Sequence, residues 1–161
     1  MSHRICKFEN EFFFLSNYYN APVEFAGITY KNNEAAFQAS KSLDYSVRME
    51  FSDLSSSEAK KKGREINLRK DWESVKVQIM KDLIHAKFEQ NLDLQKKLIQ
   101  TGDAYLEEGN DWGDRIWGTV EGNGANLLGH ILMEEREVIK KRCENYAYED
   151  KNVKRIKHRS R

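Results

Sequence analysis

Glu34, Gln38 and Lys41 stand four and then three positions apart in the stretch Asn32-Asn33-Glu34-Ala35-Ala36-Phe37-Gln38-Ala39-Ser40-Lys41. On a helix that spacing brings a carboxylate, an amide and an ammonium onto one stripe. A carboxylate so placed can steady a developing positive charge or accept a proton, and a lysine of lowered pKa can attack a carbonyl carbon. A helix is expected from about Asn33 to Leu43. Asn32 or Asn33 can cap it, because the side-chain oxygen accepts an orphan backbone N–H. Ala35, Ala36, Phe37 and Ala39 favour the helix and give it a side to bury. The same spacing fits a solvated amphipathic face, and spacing taken alone favours that reading.

Two other stretches carry chemistry. Gly63-Arg64 follows a basic run, and a Gly inside a helix costs about 1 kcal/mol against Ala, so it implies a close backbone approach or a helix end. Arg64 suits phosphate or carboxylate, while a surface basic run closed by a glycine is an equal alternative. From Gly109 to Gly129 the chain holds six of its nine glycines, interleaved with Asp111, Trp112, Asp114, Arg115, Trp117, Asn123 and Asn126. That is a poor core segment but a good ligand loop: glycine lets backbone approach a ligand, and tryptophan offers a flat face to a ring. The spacing is not that of a phosphate-binding GxxxxGK[ST] loop.

These residues need a scaffold. An aromatic stretch, Phe8 to Tyr19, is broken by Leu15-Ser16-Asn17. Val23 to Tyr30 alternates like a short hairpin turned at Ala26-Gly27. Ser55 with Glu58 forms a capping box for the helix that runs to Gly63-Arg64. Asp71 is placed to cap a long helix, Trp72 to Gln90, whose Trp72, Val75, Ile79, Met80, Leu83, Ala86 and Phe88 recur at a helical period. Leu92 to Ile99 continues to a C-cap at Gly102. Asn126 is placed to cap a last helix, Leu127 to about Cys143, with Leu128, Ile131, Leu132, Val138 and Ile139 inward.

With 161 residues the chain is most simply one domain, expected over residues 1–146. A basic tail, 147–161, with Lys151, Lys154, Arg155, Lys157, Arg159 and Arg161, is expected to be disordered and could lean on nucleic acid. The net charge of +1 otherwise argues against a charge-driven partner. Cys6 and Cys143 form neither a disulfide framework nor, with the four scattered histidines, a zinc spacing. A cytoplasmic protein without metal or cofactor is expected. No apolar run approaches the ~20 residues of a membrane span.

Several stretches, taken in order, resemble the NADAR (YbiA-like) family. They are Phe14-Leu15-Ser16-Asn17-Tyr18-Tyr19, Glu34 through Phe37-Gln38-Ala39 to Lys41, Ala59-Lys60 with Gly63-Arg64, Asp71-Trp72-Glu73-Ser74-Val75-Lys76, and Lys87-Phe88. Asp114 with Trp117-Gly118, and Asn126 with Leu128-Gly129, Leu132-Met133 and Arg136, complete the set. The resemblance runs from about Phe8 to Ile139. It implies a compact, predominantly helical α+β fold with a small N-terminal β element. It also implies an N-glycosidase that cleaves a ribose C–N bond, in phosphoribosylaminopyrimidine intermediates of riboflavin synthesis or in ADP-ribosylated guanine. Glu34 and Asp114 are then the expected catalytic carboxylates. Asn17, Gln38, Lys41, Arg64, Trp117, Gly118 and Asn126 are the expected substrate-binding residues. The first-turn position of Glu34 should favour its ionised form. The family often has His where this chain has Ala35, and Asp where it has Thr119, so an altered substrate or weaker activity is expected. Other readings are an ADP-ribose-like binding module without turnover and a nucleic-acid-associated protein that uses the basic tail.

Overall fold

The computed structural model describes residues 3–159. In chain order the elements are β1 (Arg4–Ile5), a 3-10 helix (Asn10–Leu15), β2 (Asn20–Phe25), β3 (Ile28–Asn32), α1 (Asn33–Ala39), α2 (Tyr45–Met49), α3 (Ser56–Gly63), α4 (Trp72–Gln90), α5 (Leu92–Gln100), β4 (Tyr105–Leu106) and α6 (Leu127–Arg159). The fold is α+β and mainly helical. β2 and β3 form the expected antiparallel hairpin. Its two-residue turn places Ala26 and Gly27 at φ 50° and 82°, the left-handed pair that matches strand twist. β1 and β4 pair in parallel, Arg4 with Tyr105 and Ile5 with Leu106. They tie the N-terminus to the start of the glycine-rich loop, and two residues per strand leave too little pattern to read from sequence.

Helix α1 lies at the centre, packed against α3, α4 and the hairpin. Every residue from Asn33 to Ala39 is buried. The solvated-face reading of Glu34, Gln38 and Lys41 is therefore overturned: the polar stripe faces an internal cavity. Asn32 is the cap, accepting the Ala35 N–H at 2.8 Å. Asn33 instead donates to the Leu83 carbonyl on α4 at 3.2 Å. Phe14, Leu15, Val23, Phe51, Met80, Leu83, Phe88, Leu98, Leu106, Leu128 and Leu132 fill one continuous core around this helix.

Of three end-cap expectations, the Ser55 cap holds and those at Asp71 and Asn126 do not. Ser55 accepts the Glu58 N–H at 3.2 Å. Asp71 spends its carboxylate on Arg69, at 2.6 and 2.9 Å, because an arginine two residues away outcompetes a backbone donor. Asn126 has φ 50° and turns its amide away from α6, back to the strand β4.

In α6 the inward stripe passes through Glu135 and Arg136 rather than Val138, which is 51% exposed. The Glu135 carboxylate accepts from the His85 ring at 3.0 Å and Arg136 donates to Thr101 Oγ1 at 2.9 Å, while the buried Arg136 Nε has no acceptor among the described residues. Helix α6 does not stop near Cys143. It continues through Arg159, so the tail expected to be disordered is helical over 147–159, and Arg161 lies outside the described residues. Its residues 143–151 are exposed throughout. Local i,i+4 pairing carries it onward, as between Lys154 and Asp150 at 2.7 Å.

Candidate active site

One cavity of about 470 Å³ opens where α1, α3, the start of α4, the 3-10 segment and the glycine-rich loop converge. Asn17, Glu34, Gln38, Lys41, Asp114 and Trp117 all line it. Three segments far apart in sequence thus deliver six of the nine expected site residues to one place.

Glu34 is positioned twice over. Its backbone N–H, an orphan of the helix start, donates to the Asn17 carbonyl at 3.0 Å. Its carboxylate accepts the Gln38 amide at 2.8 Å, one turn on. Gln38 fits only because α3 presents Gly63 opposite it, where a Cβ would overlap the Gln38 side-chain oxygen. The cost of that helix-ending glycine is thereby explained. Burial pushes the Glu34 pKa up, against the Gln38 hydrogen bond and the charges of Lys60 and Lys41. Desolvation outweighs the ionising effect expected of the first turn. Lys41 is shifted the opposite way, below the usual lysine range, again chiefly by burial.

Asp114 shapes its own loop. Its Oδ1 accepts the N–H groups of Ile116 and Trp117, each at 2.9 Å. Asn110 grips both the N–H and the carbonyl of Asp114, at 3.0 and 2.8 Å. Trp117 is held edge-on to Phe37 with ring centroids 5.5 Å apart, and Trp72 approaches the same Phe37 at 5.1 Å. Two indoles that both contact Phe37 therefore line the cavity. Asn17 Oδ1 and Gln38 Oε1 are buried acceptors with no donor among the described residues.

Arg64, Gly118 and Asn126 do not line the cavity. Arg64 is exposed at the C-cap of α3. Gly118 and Asn126 act one layer out, on Glu108. A Cβ at Gly118 would overlap the Glu108 carbonyl, and the Asn126 side chain accepts the Glu108 N–H at 3.0 Å.

Glu108, Lys60, Trp72, Tyr18, Lys76 and Trp112 are cavity residues the sequence reading did not select. Glu108 lies just past a two-residue strand, with no periodicity to mark it. Lys60 was hidden in a lysine run that looks like solvated surface. Its ammonium lies 5.7 Å from the Tyr18 ring centre and 5.5 Å from that of Trp112. The period of α4 marks Trp72 as core, and it both joins the core and lines the cavity.

The two departures fall off the cavity. Ala35 is fully buried in the core. Thr119 donates to Glu107 at 2.7 Å, on a carboxylate that also pairs with Arg4 at 2.9 Å. An aspartate there would meet that carboxylate without a proton to offer it.

Comparison with known proteins agrees with this architecture. The model of the NADAR domain matches residues 5–140. The chain belongs to the NADAR family. Among its NADAR relatives, N-glycosidase YbiA of Escherichia coli is 42% identical over 126 residues, 76% of this chain and 78% of that protein. A riboflavin biosynthesis protein of Vibrio vulnificus is 35% identical over 77% of this chain, which spans 35% of that longer protein. The NMR structure of E. coli YbiA superposes with a TM-score of 0.77 at 37% identity, covering 88% of each chain.

Proposed function

We propose that this chain is an N-glycosidase that hydrolyses the bond between a ribose carbon and the nitrogen of a base-like amine. The observation that carries the reading is the buried carboxyl of Glu34 in a cavity walled by two indoles. N-glycoside cleavage builds positive charge on the sugar, and a carboxylate beside the anomeric carbon stabilises that charge better in a cavity than in water. The same carboxylate can take a proton from the attacking water. Trp117 and Trp72 offer stacking faces to the base. Asn17 Oδ1 and Gln38 Oε1, buried and without donors, suit sugar hydroxyls, which would cancel the penalty of leaving them unpaired. Lys41 and Lys76 provide ammonium groups for phosphate.

The cavity volume suits a nucleotide-sized ligand. The substrate is either a phosphoribosylaminopyrimidine or an ADP-ribosylated guanine, whose outer half would extend over Trp112 and Lys60 at the mouth. Incubation with both classes, following ribose release, decides between them. Tight binding of both with release from neither would make the protein a binding module.

A second reading rests on the end of α6, where Lys151, Lys154, Arg155 and Lys157 are exposed on helical turns. This segment would hold nucleic acid through its phosphates. The slope of DNA affinity against salt should then fall when the segment is removed.

A further inference from the structure

We propose that Glu108 is the proton donor to the departing nitrogen, fixed in place by Asn126 and by the missing side chain of Gly118. The proposal rests on the N-glycosidase reading and adds the group that reading lacks. Glu34 can stabilise the sugar cation and activate water, but an amine leaving as an anion needs a proton.

The placement of Glu108 is built with unusual care for a residue outside any helix. Its N–H donates to Asn126 Oδ1 at 3.0 Å. Its carbonyl accepts the Thr119 N–H at 2.9 Å and the Asn110 amide at 3.4 Å. Asn126 is only 1% exposed and is held at φ 50°, a conformation a non-glycine residue adopts at some cost. Its Nδ2 donates to the Leu106 carbonyl at 2.9 Å and the Tyr105 hydroxyl at 3.3 Å. All three bonds hold the end of β4. Asn126 does not line the cavity, but Glu108, whose backbone it holds, does.

The surroundings separate the two glutamates. Glu34 faces the Gln38 amide, Lys60 and Lys41, with Asp114 as a like charge. Glu108 faces Asp114, Glu34 and Tyr18, with Lys60 as the compensating cation. Like charges in one cavity resist ionising together, so the proton settles on the carboxyl with fewer compensating partners. Burial first, and then Asp114 and Glu34, push Glu108 up to about 8. It therefore carries a proton at neutral pH and can release it. Tyr18, pushed up to about 12, holds its proton too firmly for that task.

The step balances. As the C–N bond breaks, its electron pair goes to nitrogen, which takes the Glu108 proton and leaves as a neutral amine. Water adds its oxygen to the sugar carbon and gives a proton to Glu34. That proton reaches Glu108 through solvent and resets the site.

The test compares two ribosides on the full chain: the amine-linked substrate, and a 4-nitrophenyl riboside 5-phosphate whose leaving group needs no proton. Glu108→Gln should lower turnover of the first by about 10²–10⁴-fold and leave the second nearly unchanged, whereas Glu34→Gln should depress both. The wild-type rate on the amine-linked substrate should fall above about pH 8, and that limb should vanish in Glu108→Gln. Asn126→Ala should lower kcat more than it raises KM and should displace the same limb, which a merely structural role would not move. Equal losses on both substrates in Glu108→Gln, or a basic limb that survives in it, would overturn the assignment. If the variant does not fold, the wild-type chain still decides: a basic limb of equal size with both leaving groups overturns the proposal. A wild-type chain that releases ribose from neither substrate removes the N-glycosidase reading and this proposal together.

Discussion

A carboxylate in water and a carboxylate in this cavity are different reagents, and Glu34 is one such group, its pKa raised by burial. Its replacement by Gln preserves shape and helix propensity while removing the charge. We expect Glu34→Gln to cut turnover by about 10²–10⁴-fold, or roughly 3–5 kcal/mol of barrier, with product affinity by calorimetry almost unchanged. Near-normal turnover would reduce the polar stripe to a structural feature. Asp114→Asn is the contrasting case. Its Oδ1 serves Ile116 and Trp117, and an amide oxygen can take over both bonds. Its Michaelis constant should therefore rise more than its turnover falls. Trp117 is half-buried against Phe37. Trp117→Ala should weaken substrate binding by about 1–3 kcal/mol, the worth of one stacked base. A larger loss of folding stability than of binding, measured by denaturant unfolding, would place Trp117 in the core instead.

Among the elements, α4 does more than fill the core. Its Lys87 is fully buried, and Nζ donates to the carbonyls of Phe14 at 2.6 Å and Ser16 at 3.0 Å. Those bonds fix the segment that carries Asn17, whose carbonyl holds the Glu34 N–H. Burial alone lowers the Lys87 pKa to about 7. A neutral amine still has two N–H groups, enough for both carbonyls. In the unfolded chain the lysine titrates near ~10.4, so between about pH 7 and pH 10 the unfolded state binds the extra proton. This group therefore makes the fold more stable as pH rises through that window, on the order of 2 kcal/mol from pH 7 to pH 9. Unfolding curves of the wild type and Lys87→Met at the two pH values should show the gap between them widening in favour of the wild type. A gap independent of pH would mean that the amine stays charged inside the fold.

For the whole molecule, the working unit is the set of elements that meets at α1. Removing the chain after Tyr146 should leave the melting temperature and small-molecule turnover unchanged, because residues 143–151 are exposed and the core holds no described residue beyond Ile139. A drop of several degrees on truncation would show that the extension is docked. The cavity depends on its neighbours instead: Gly63 makes room for Gln38, and Gly118 makes room for the Glu108 carbonyl.

Local chemistry was legible in the sequence. A cap at Asn32 or Asn33, the Ala26-Gly27 turn, the span of α4 and the Glu34–Gln38–Lys41 stripe follow from propensity and period, which act over a few residues. The ordered motifs also identified the family. What needed the tertiary structure was the direction and the environment of each group. A helical stripe has the same spacing facing water or facing a cavity, and only the packing of α3 and α4 around α1 made this one internal. Glu108 and Lys60 carried no local signal, because their roles depend on groups that lie far away in the chain. Asn126 looked like a helix cap because helix starts favour that residue, yet the strand β4 offered its amide more bonds. Burial then set the ionisation of Glu34, Glu108 and Lys87. Desolvation is a property of everything that surrounds a group, and no stretch of sequence contains it.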